Sequence, residues 1–270
     1  MTELLSIAKD TATRAADLAF QRRSEGVEIA ATKSSITDVV TAADREVEQL
    51  VLGLLHEQRP DDGILGEEGA SVEGTSGITW VVDPIDGTVN YLYGIGTYAV
   101  SIAAVEGEHQ LDRLHPSQWR GLAGVVVDPT SGTVFTGAAG QGAHRNGAPI
   151  RASEQTSLQH SLVATGFGYA RERRASQAES FAQIITEIRD IRRIGSAALD
   201  ITGCAAGTLD AYFEKGPKAW DLAAGILIAE EAGCATRVEG VGGDLFAAVA
   251  APAIATEFFA LLKNADAASA

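Results

Sequence analysis

Three nearly unbroken apolar runs set the tightest limit on how this chain folds: Ile78-Thr79-Trp80-Val81-Val82, Thr97 to Val105, and Gly121 to Val127. Strands with one wet face alternate apolar and polar side chains, whereas continuous runs of this length are expected of buried strands. Asp128-Pro129-Thr130-Ser131-Gly132 turns the third run into Thr133-Val134-Phe135-Thr136, a hairpin, and Asn146-Gly147 marks a further turn. Helices supply the cover. Glu3 to Arg23 aligns Leu4, Ala8, Ala12, Ala15 and Ala19 on one face. After a polar loop from Lys33 to Asp38, Thr41 with Asp44 three residues on reads as a helix start. Val47, Leu50, Val51, Leu54 and Leu55 then recur at helical spacing until Pro60-Asp61-Asp62-Gly63 ends the run.

Beyond residue 150 strands and helices alternate. Strands are expected at Ser161–Thr165, Leu209–Phe213 and Ala247–Ala251, and helices at Glu172–Ile188, Ala197–Ala206 and Asp221–Ala232. A closing helix carries Phe258, Phe259 and Leu262. Neither repeats nor linkers interrupt the 270 residues. The pattern predicts an α+β or α/β fold of mixed sheets covered by helices, in two abutting subdomains, 1–150 and 151–270.

Composition narrows the function classes. Lys and Arg number 21 against 36 Asp and Glu, a formal net charge of −15, which disfavours sequence-blind nucleic-acid binding and docking on anionic membranes. No stretch approaches the roughly 18 apolar residues of a membrane span, and Met1-Thr2-Glu3-Leu4-Leu5 does not read as a signal peptide. Cys204 and Cys234 have neither metal nor redox spacing and read as small apolar fillers, so the cytoplasm is the expected address.

The segment Trp80-Val81-Val82-Asp83-Pro84-Ile85-Asp86-Gly87-Thr88 concentrates the chemistry. An apolar strand ends in an aspartate, Pro84 forbids helix, and a second aspartate follows three residues later. Two carboxylates and the intervening carbonyls are hard oxygen donors of the kind Mg²⁺ prefers. The amides of Gly87 and Thr88, near a possible helix start, suit a phosphate oxygen. Turn formation alone also accounts for Asp-Pro and Asp-Gly. The Asp-x-Asp-Gly-Thr loop of haloacid-dehalogenase-type phosphatases is excluded, because here the acids stand three apart.

Other acids are ambiguous singly. Glu67 and Glu68 sit in a glycine-flanked turn that reads equally as a solvated loop, Asp44 as a capping-box residue, and Asp221 in Trp220-Asp221-Leu222-Ala223-Ala224-Gly225 as an N-cap. The five histidines lack paired metal spacing, and no Gly-x-Ser-x-Gly elbow, Walker loop or dinucleotide fingerprint occurs.

Taken in order, Gly66-Glu67-Glu68, Asp83-Pro84-Ile85-Asp86-Gly87-Thr88 and Trp220-Asp221-Leu222-Ala223-Ala224-Gly225 resemble the signature segments of the inositol monophosphatases. The resemblance implies a layered αβαβα sandwich of the sugar-phosphatase type. It implies that Glu67, Asp83 and the Ile85 carbonyl hold one Mg²⁺, that Asp83, Asp86 and Asp221 hold a second, and that a third, weaker ion lies near Glu67. Thr88, backed by Asp44, would orient and deprotonate the attacking water, and the amides of Gly87 and Thr88 would bind phosphate. Asp86, Gly195, Ser196, Ala197 and Glu214, with Asp221, would face the alcohol half of the substrate. Ser196, Val89, Tyr91 and Cys234 depart from the commoner threonine, threonine, phenylalanine and glycine, and Leu111 to Arg120 reads as an enlarged surface loop. The implied activity is Mg²⁺-dependent, lithium-sensitive hydrolysis of a small phosphorylated polyol, foremost inositol monophosphate, by a homodimer. Histidinol phosphate and fructose 1,6-bisphosphate are alternative substrates, and a catalytically silent binding protein on the same fold is the alternative of another class.

Overall fold

The chain opens with α1 (Glu3–Glu25), capped by Thr2, whose side-chain oxygen accepts the Leu5 amide at 3.2 Å. The structure is a computed structural model describing residues 2–27, 29–32, 39–69, 71–107, 119–240 and 245–268. After α1 come β1 (Ile29–Thr32), β2 (Val39–Thr41), α2 (Ala42–Gln58), β3 (Gly63–Gly66), β4 (Ser71–Val72), β5 (Ile78–Asp86) and α3 (Thr88–Tyr93). The middle of the chain forms β6 (Ala99–Glu106), β7 (Arg120–Asp128), β8 (Thr133–Ala138), β9 (Ala143–Arg145) and β10 (Ala148–Ile150). The remainder is β11 (Leu162–Thr165), α4 (Arg171–Ile184), β12 (Asp190–Arg192), α5 (Ala197–Ala205), β13 (Ala211–Lys215), α6 (Ala219–Glu231), β14 (Ala235–Glu239), β15 (Phe246–Ala250) and α7 (Ala255–Ala268).

Two mixed sheets result. Eight strands follow the order β10-β9-β8-β7-β6-β5-β3-β4, with only β3 and β5 parallel. Five follow the order β12-β11-β13-β15-β14, with β11 parallel to β12 and β13. Every strand of the first sheet precedes residue 151 and every strand of the second follows it.

The apolar runs explain the layering. Along β5, β6 and β7 alternate side chains (Trp80, Val82, Val100, Ile102, Val125) meet Ala12, Val47, Val51 and Leu55 of α1 and α2. The opposite set (Val81, Ala103, Val126) packs on Ile201 of α5 and on Leu222 and Ile228 of α6. Those helices also cover Tyr212 and Val249 of the second sheet, while α7, through Phe258 and Leu262, covers its far face beside Ile184 of α4. This is the αβαβα order. Each fully buried aliphatic side chain, such as Val51 or Leu55, contributes roughly 1.5–3 kcal/mol relative to exposure. Helix α6 lies close on β7: a Cβ at Gly124 would sit 3.0 Å from the Ala224 carbonyl oxygen, so only glycine fits without displacing the helix.

The expected elements recur with shifted ends. Strand β5 continues past Val82 to Asp86, because a register shift between Asp83 and Asp86 gives Pro84, which cannot donate to a ladder, a bulge to occupy. Helix α4 stops at Ile184 rather than Ile188, which is buried from a turn in which the Glu187 amide donates to Ile184 O at 3.0 Å. Strands β3, β4, β12 and β14 are short or at sheet edges and carry no apolar run. The loop expected at 33–38 lies outside the described residues, as do 111–118. Arg120, however, opens β7, and Trp119 packs against the core, which corrects the end of the expected surface loop. Among the described residues no helix is long and apolar enough to cross a membrane.

Candidate active site

The bulge that ends β5 turns its side chains into a cleft of about 480 Å³. Asp83, 1% exposed, accepts the Ile85 amide on Oδ1 at 3.0 Å, an Asx turn that folds the chain around Pro84. Gly87 then takes φ +101° and ψ 38°, a left-handed conformation closed to most side chains, and α3 starts at Thr88. Asp221 arrives from the first turn of α6, where its Oδ2 accepts the Lys218 amide at 2.6 Å. Asp221 is thus not the N-cap that the sequence suggested but the third residue of the helix, bonding back to the amide of the N-cap Lys218, a role compatible with a second one. One carboxylate oxygen from each of Asp83, Asp86 and Asp221 lies within 4.8 Å of the others.

Glu67 stands at the edge of this trio. Its amide donates to Val82 O at 3.2 Å, which docks the turn after β3 beside β5, and its carboxyl hydrogen-bonds Asp83. The turn is held from behind by Glu48, 3% exposed on α2, whose Oε1 accepts the Glu68 amide at 2.8 Å. Sequence reasoning missed Glu48. Its signal was available: it falls one helical turn after Asp44, on the same face of α2.

Such crowding is unfavourable for bare carboxylates. Burial first, then the charges of Glu67, Asp86 and Asp221, holds the Asp83 carboxyl well above the usual carboxylate range. Asp221 is raised likewise by burial and then by Asp86 and Glu67. Asp86 is pushed up to about 6 by burial, against the opposing pull of hydrogen bonds from Ser196 and Ala198. A divalent cation reverses this repulsion. The donor set fits Mg²⁺: converging hard oxygens from three aspartates and a neighbouring glutamate, with neither sulfur nor imidazole among them.

Asp44 and Thr88 form a second feature. Asp44 closes a capping box with Thr41, accepting the Thr41 amide on Oδ2 at 2.8 Å and contacting the Thr41 hydroxyl with the same oxygen. Its other oxygen, Oδ1, lies 3.2 Å from Thr88 Oγ1, which is also 3.2 Å from the Ile85 carbonyl oxygen. The helix cap and the cleft hydroxyl thus share one carboxylate, 0% exposed and pushed by burial up to about 6.

Opposite β5, the cleft is walled by Gly195, Ser196 and Ala197 at the start of α5 and by Glu214 on β13. Ser196 is buried, with its proton committed to Asp86 Oδ2 at 2.6 Å while its oxygen caps Leu199 at 3.2 Å. Tyr212 donates to Glu214 Oε2 at 2.9 Å, and burial pushes Glu214 up to about 7. Arg173, Arg193 and Lys218 add positive charge to the lining. Asp200 also lines the cleft and was not foreseen, although a lone acid in the apolar run Ala197 to Ala206 was a visible signal.

The inositol monophosphatase family model matches residues 1–260. The chain belongs to this family. Inositol-1-monophosphatase SuhB of Mycobacterium tuberculosis is 43% identical, the alignment covering 97% of this chain and 93% of that one. The solved structure of Mycobacterium tuberculosis SuhB superposes with a TM-score of 0.81 over 97% of this chain and 96% of that chain, at 41% identity. The Nus factor SuhB of Pasteurella multocida is 36% identical over 86% of this chain and 84% of its own length. Relatives of this inositol monophosphatase family member therefore carry two kinds of name. The departures noted in its sequence are accommodated locally. The Tyr91 hydroxyl donates to Ala19 O at 2.9 Å, pinning α3 to α1, and Cys234, where glycine is commoner, needs no positive φ.

Proposed function

We propose that this chain is a Mg²⁺-dependent phosphomonoesterase that hydrolyses a small polyol phosphate, foremost inositol monophosphate, to the free polyol and inorganic phosphate. The observation that carries the reading is the convergence of Asp83, Asp86 and Asp221 within 4.8 Å in the cleft that Thr88, backed by the buried Asp44, also lines.

In this reading Glu67, Asp83 and the Ile85 carbonyl would hold one Mg²⁺, Asp83, Asp86 and Asp221 would hold a second, and Glu67 would serve a third, weaker one. Mg²⁺ bound there supplies charge that steadies the phosphate and the leaving alkoxide and makes water more acidic. Everything else is the work of the chain. Thr88 gives its proton to Asp44, which leaves its lone pairs to accept a hydrogen from water and aim that water at phosphorus. Asp44 is the sink for the proton released. The amides of Gly87 and Thr88 precede the first intrahelical bonds of α3 and would hold phosphate oxygens. Gly195, Ser196, Ala197 and Glu214 bound the alcohol half, with Ser196 acting through Asp86.

Phosphate release from inositol monophosphate, fructose 1,6-bisphosphate and histidinol phosphate, compared as kcat/KM with Mg²⁺ and with chelator, tests this. The expected result is chelator-sensitive turnover that is highest on inositol monophosphate. Full activity in chelator overturns the mechanism, and a folded protein inert on all three supports a silent binding role.

A further inference from the structure

Asp200 has no part in the chemistry above, yet it lies on the cleft wall. It belongs to the first turn of α5 and is 2% exposed, and its Oδ1 is buried without a hydrogen-bond partner. Unpaired buried carboxyls are costly, and folds rarely keep them without a use. Asp200 is also outside the converging trio, so ion binding does not account for it.

Its surroundings identify what it suits. Glu214 and Asp86 oppose its ionisation while Arg193 favours it, and with burial the largest influence the acid is pushed up to about 8. Near neutral pH Asp200 is then mostly protonated and carries both an O–H donor and an acceptor. Glu214 is positioned with care nearby. Tyr212 fixes its Oε2, and a Cβ at Gly166 would fall 2.0 Å from that same oxygen. Two acids from α5 and β13, partly offset by Arg193, make a wall that is polar but not strongly charged. Such a wall suits neutral hydroxyls better than an ammonium or a second phosphate.

We propose that Asp200 is a specificity-determining residue that, beside Glu214, receives hydroxyls of the alcohol half of the substrate. The assignment rests on the phosphatase reading. A bound hydroxyl supplies the missing hydrogen-bond partner, and a leaving group without further hydroxyls leaves Asp200 Oδ1 unpaired. Sites built around a substrate hydroxyl discriminate strongly against analogues lacking it.

The test compares kcat/KM for inositol monophosphate and phenyl phosphate, with Mg²⁺, in the wild type, Asp200→Ala and Asp200→Asn. Asp200→Ala is expected to lower the preference for inositol monophosphate over phenyl phosphate at least about tenfold, mainly through KM. Asp200→Asn keeps a donor and an acceptor in the same outline and is expected to hold that preference within about threefold. The thermal midpoint of the alanine variant in chelator should equal or exceed that of the wild type, because the orphaned acid is gone. If alanine is not tolerated, Asp200→Leu, similar in outline and without a polar atom, replaces it. A wild type active on both substrates whose preference is unmoved by these apolar variants overturns the subsite alone. A wild type inert on both overturns the phosphatase reading, and the subsite with it.

Discussion

Ser196 donates its hydroxyl proton to Asp86 Oδ2 at 2.6 Å, and the Ala198 amide donates to the same oxygen at 2.7 Å. The end of β5 and the start of α5 are tied through this carboxylate, which the Ala197 amide also hydrogen-bonds. The positive end of the α5 dipole points at this acid and favours its charged form.

Ser196→Ala removes one of these bonds together with the α5 cap. Partners that orient a metal-binding group typically carry about 10–100-fold in affinity, so Mg²⁺ binding should weaken by that order, with Ser196→Thr close to wild type. Calorimetric titration with Mg²⁺ reads the affinity. The chelator midpoint separately reports the lost cap, about 1 kcal/mol. An alanine variant with wild-type affinity contradicts the positioning role.

Asp83→Asn tests the centre itself. The variant keeps the Asx-turn oxygen that holds the Ile85 amide, so circular dichroism should be unchanged. Phosphate release should fall by about 10³-fold or more, since charge stabilisation carries most of the catalysis of phosphoryl transfer. Undiminished turnover removes Asp83 from the mechanism.

The raised acids also set a pH dependence. Asp83 and Asp221 are raised, and Asp86 is pushed up to about 6, by burial before all else. Each binds its proton more tightly folded than unfolded. The stabilisation is complete below the ordinary carboxylate value of about 4 and is lost as pH rises through the folded value. In chelator the thermal midpoint contribution of this cluster should therefore fall as pH rises above about 4, through the Asp86 value of about 6, and further as Asp83 and Asp221 ionise. Mg²⁺ competes with those protons, so the gap between midpoints with Mg²⁺ and with chelator should widen across that range. Parallel curves contradict the assignment of these acids to the ion.

The Asp44–Thr88 pair is separable from ion binding. Thr88→Val and Asp44→Asn should each lower kcat by about 10²-fold or more, the usual weight of a positioned acid–base group. Mg²⁺ affinity should stay within a few fold, and Thr88→Ser, which keeps the hydroxyl, should retain most of the turnover. A Thr88→Val variant with normal kcat shows that water is oriented by another group.

The central strands were legible because β5, β6 and β7 are buried on both faces and so must be apolar throughout. Helices α1 and α2 were equally plain, since Thr41–Asp44 writes a cap and Val47, Val51 and Leu55 write a stripe. Edge strands such as β12 and β14 were not, because three to five half-exposed residues carry no periodic signal and depend on the neighbours they pair with. Around the cleft, Asp83-Pro84-Ile85-Asp86-Gly87-Thr88 stood out as a motif, whereas Glu48 and Asp200 did not. Each is a single acid in a helix, and only the packing of α2 and α5 reveals which surface it meets. Ser196 was noticed as a candidate substrate contact, but that its proton is given to Asp86 depends on how α5 docks.

Asp83 and Asp86 flank the bulge of β5, while Asp221 enters only with α6, which lies so close on that sheet that a Cβ at Gly124 would press on the Ala224 carbonyl. A nascent chain that has finished its first sheet holds Glu67, Asp83 and Ile85 but only two of the three converging aspartates. In the phosphatase reading, the second ion would thus wait for α6 to be synthesised and laid down, and should be the first released when α6 detaches. Retention of that second ion would in this sense gauge whether the two halves of the chain have come together.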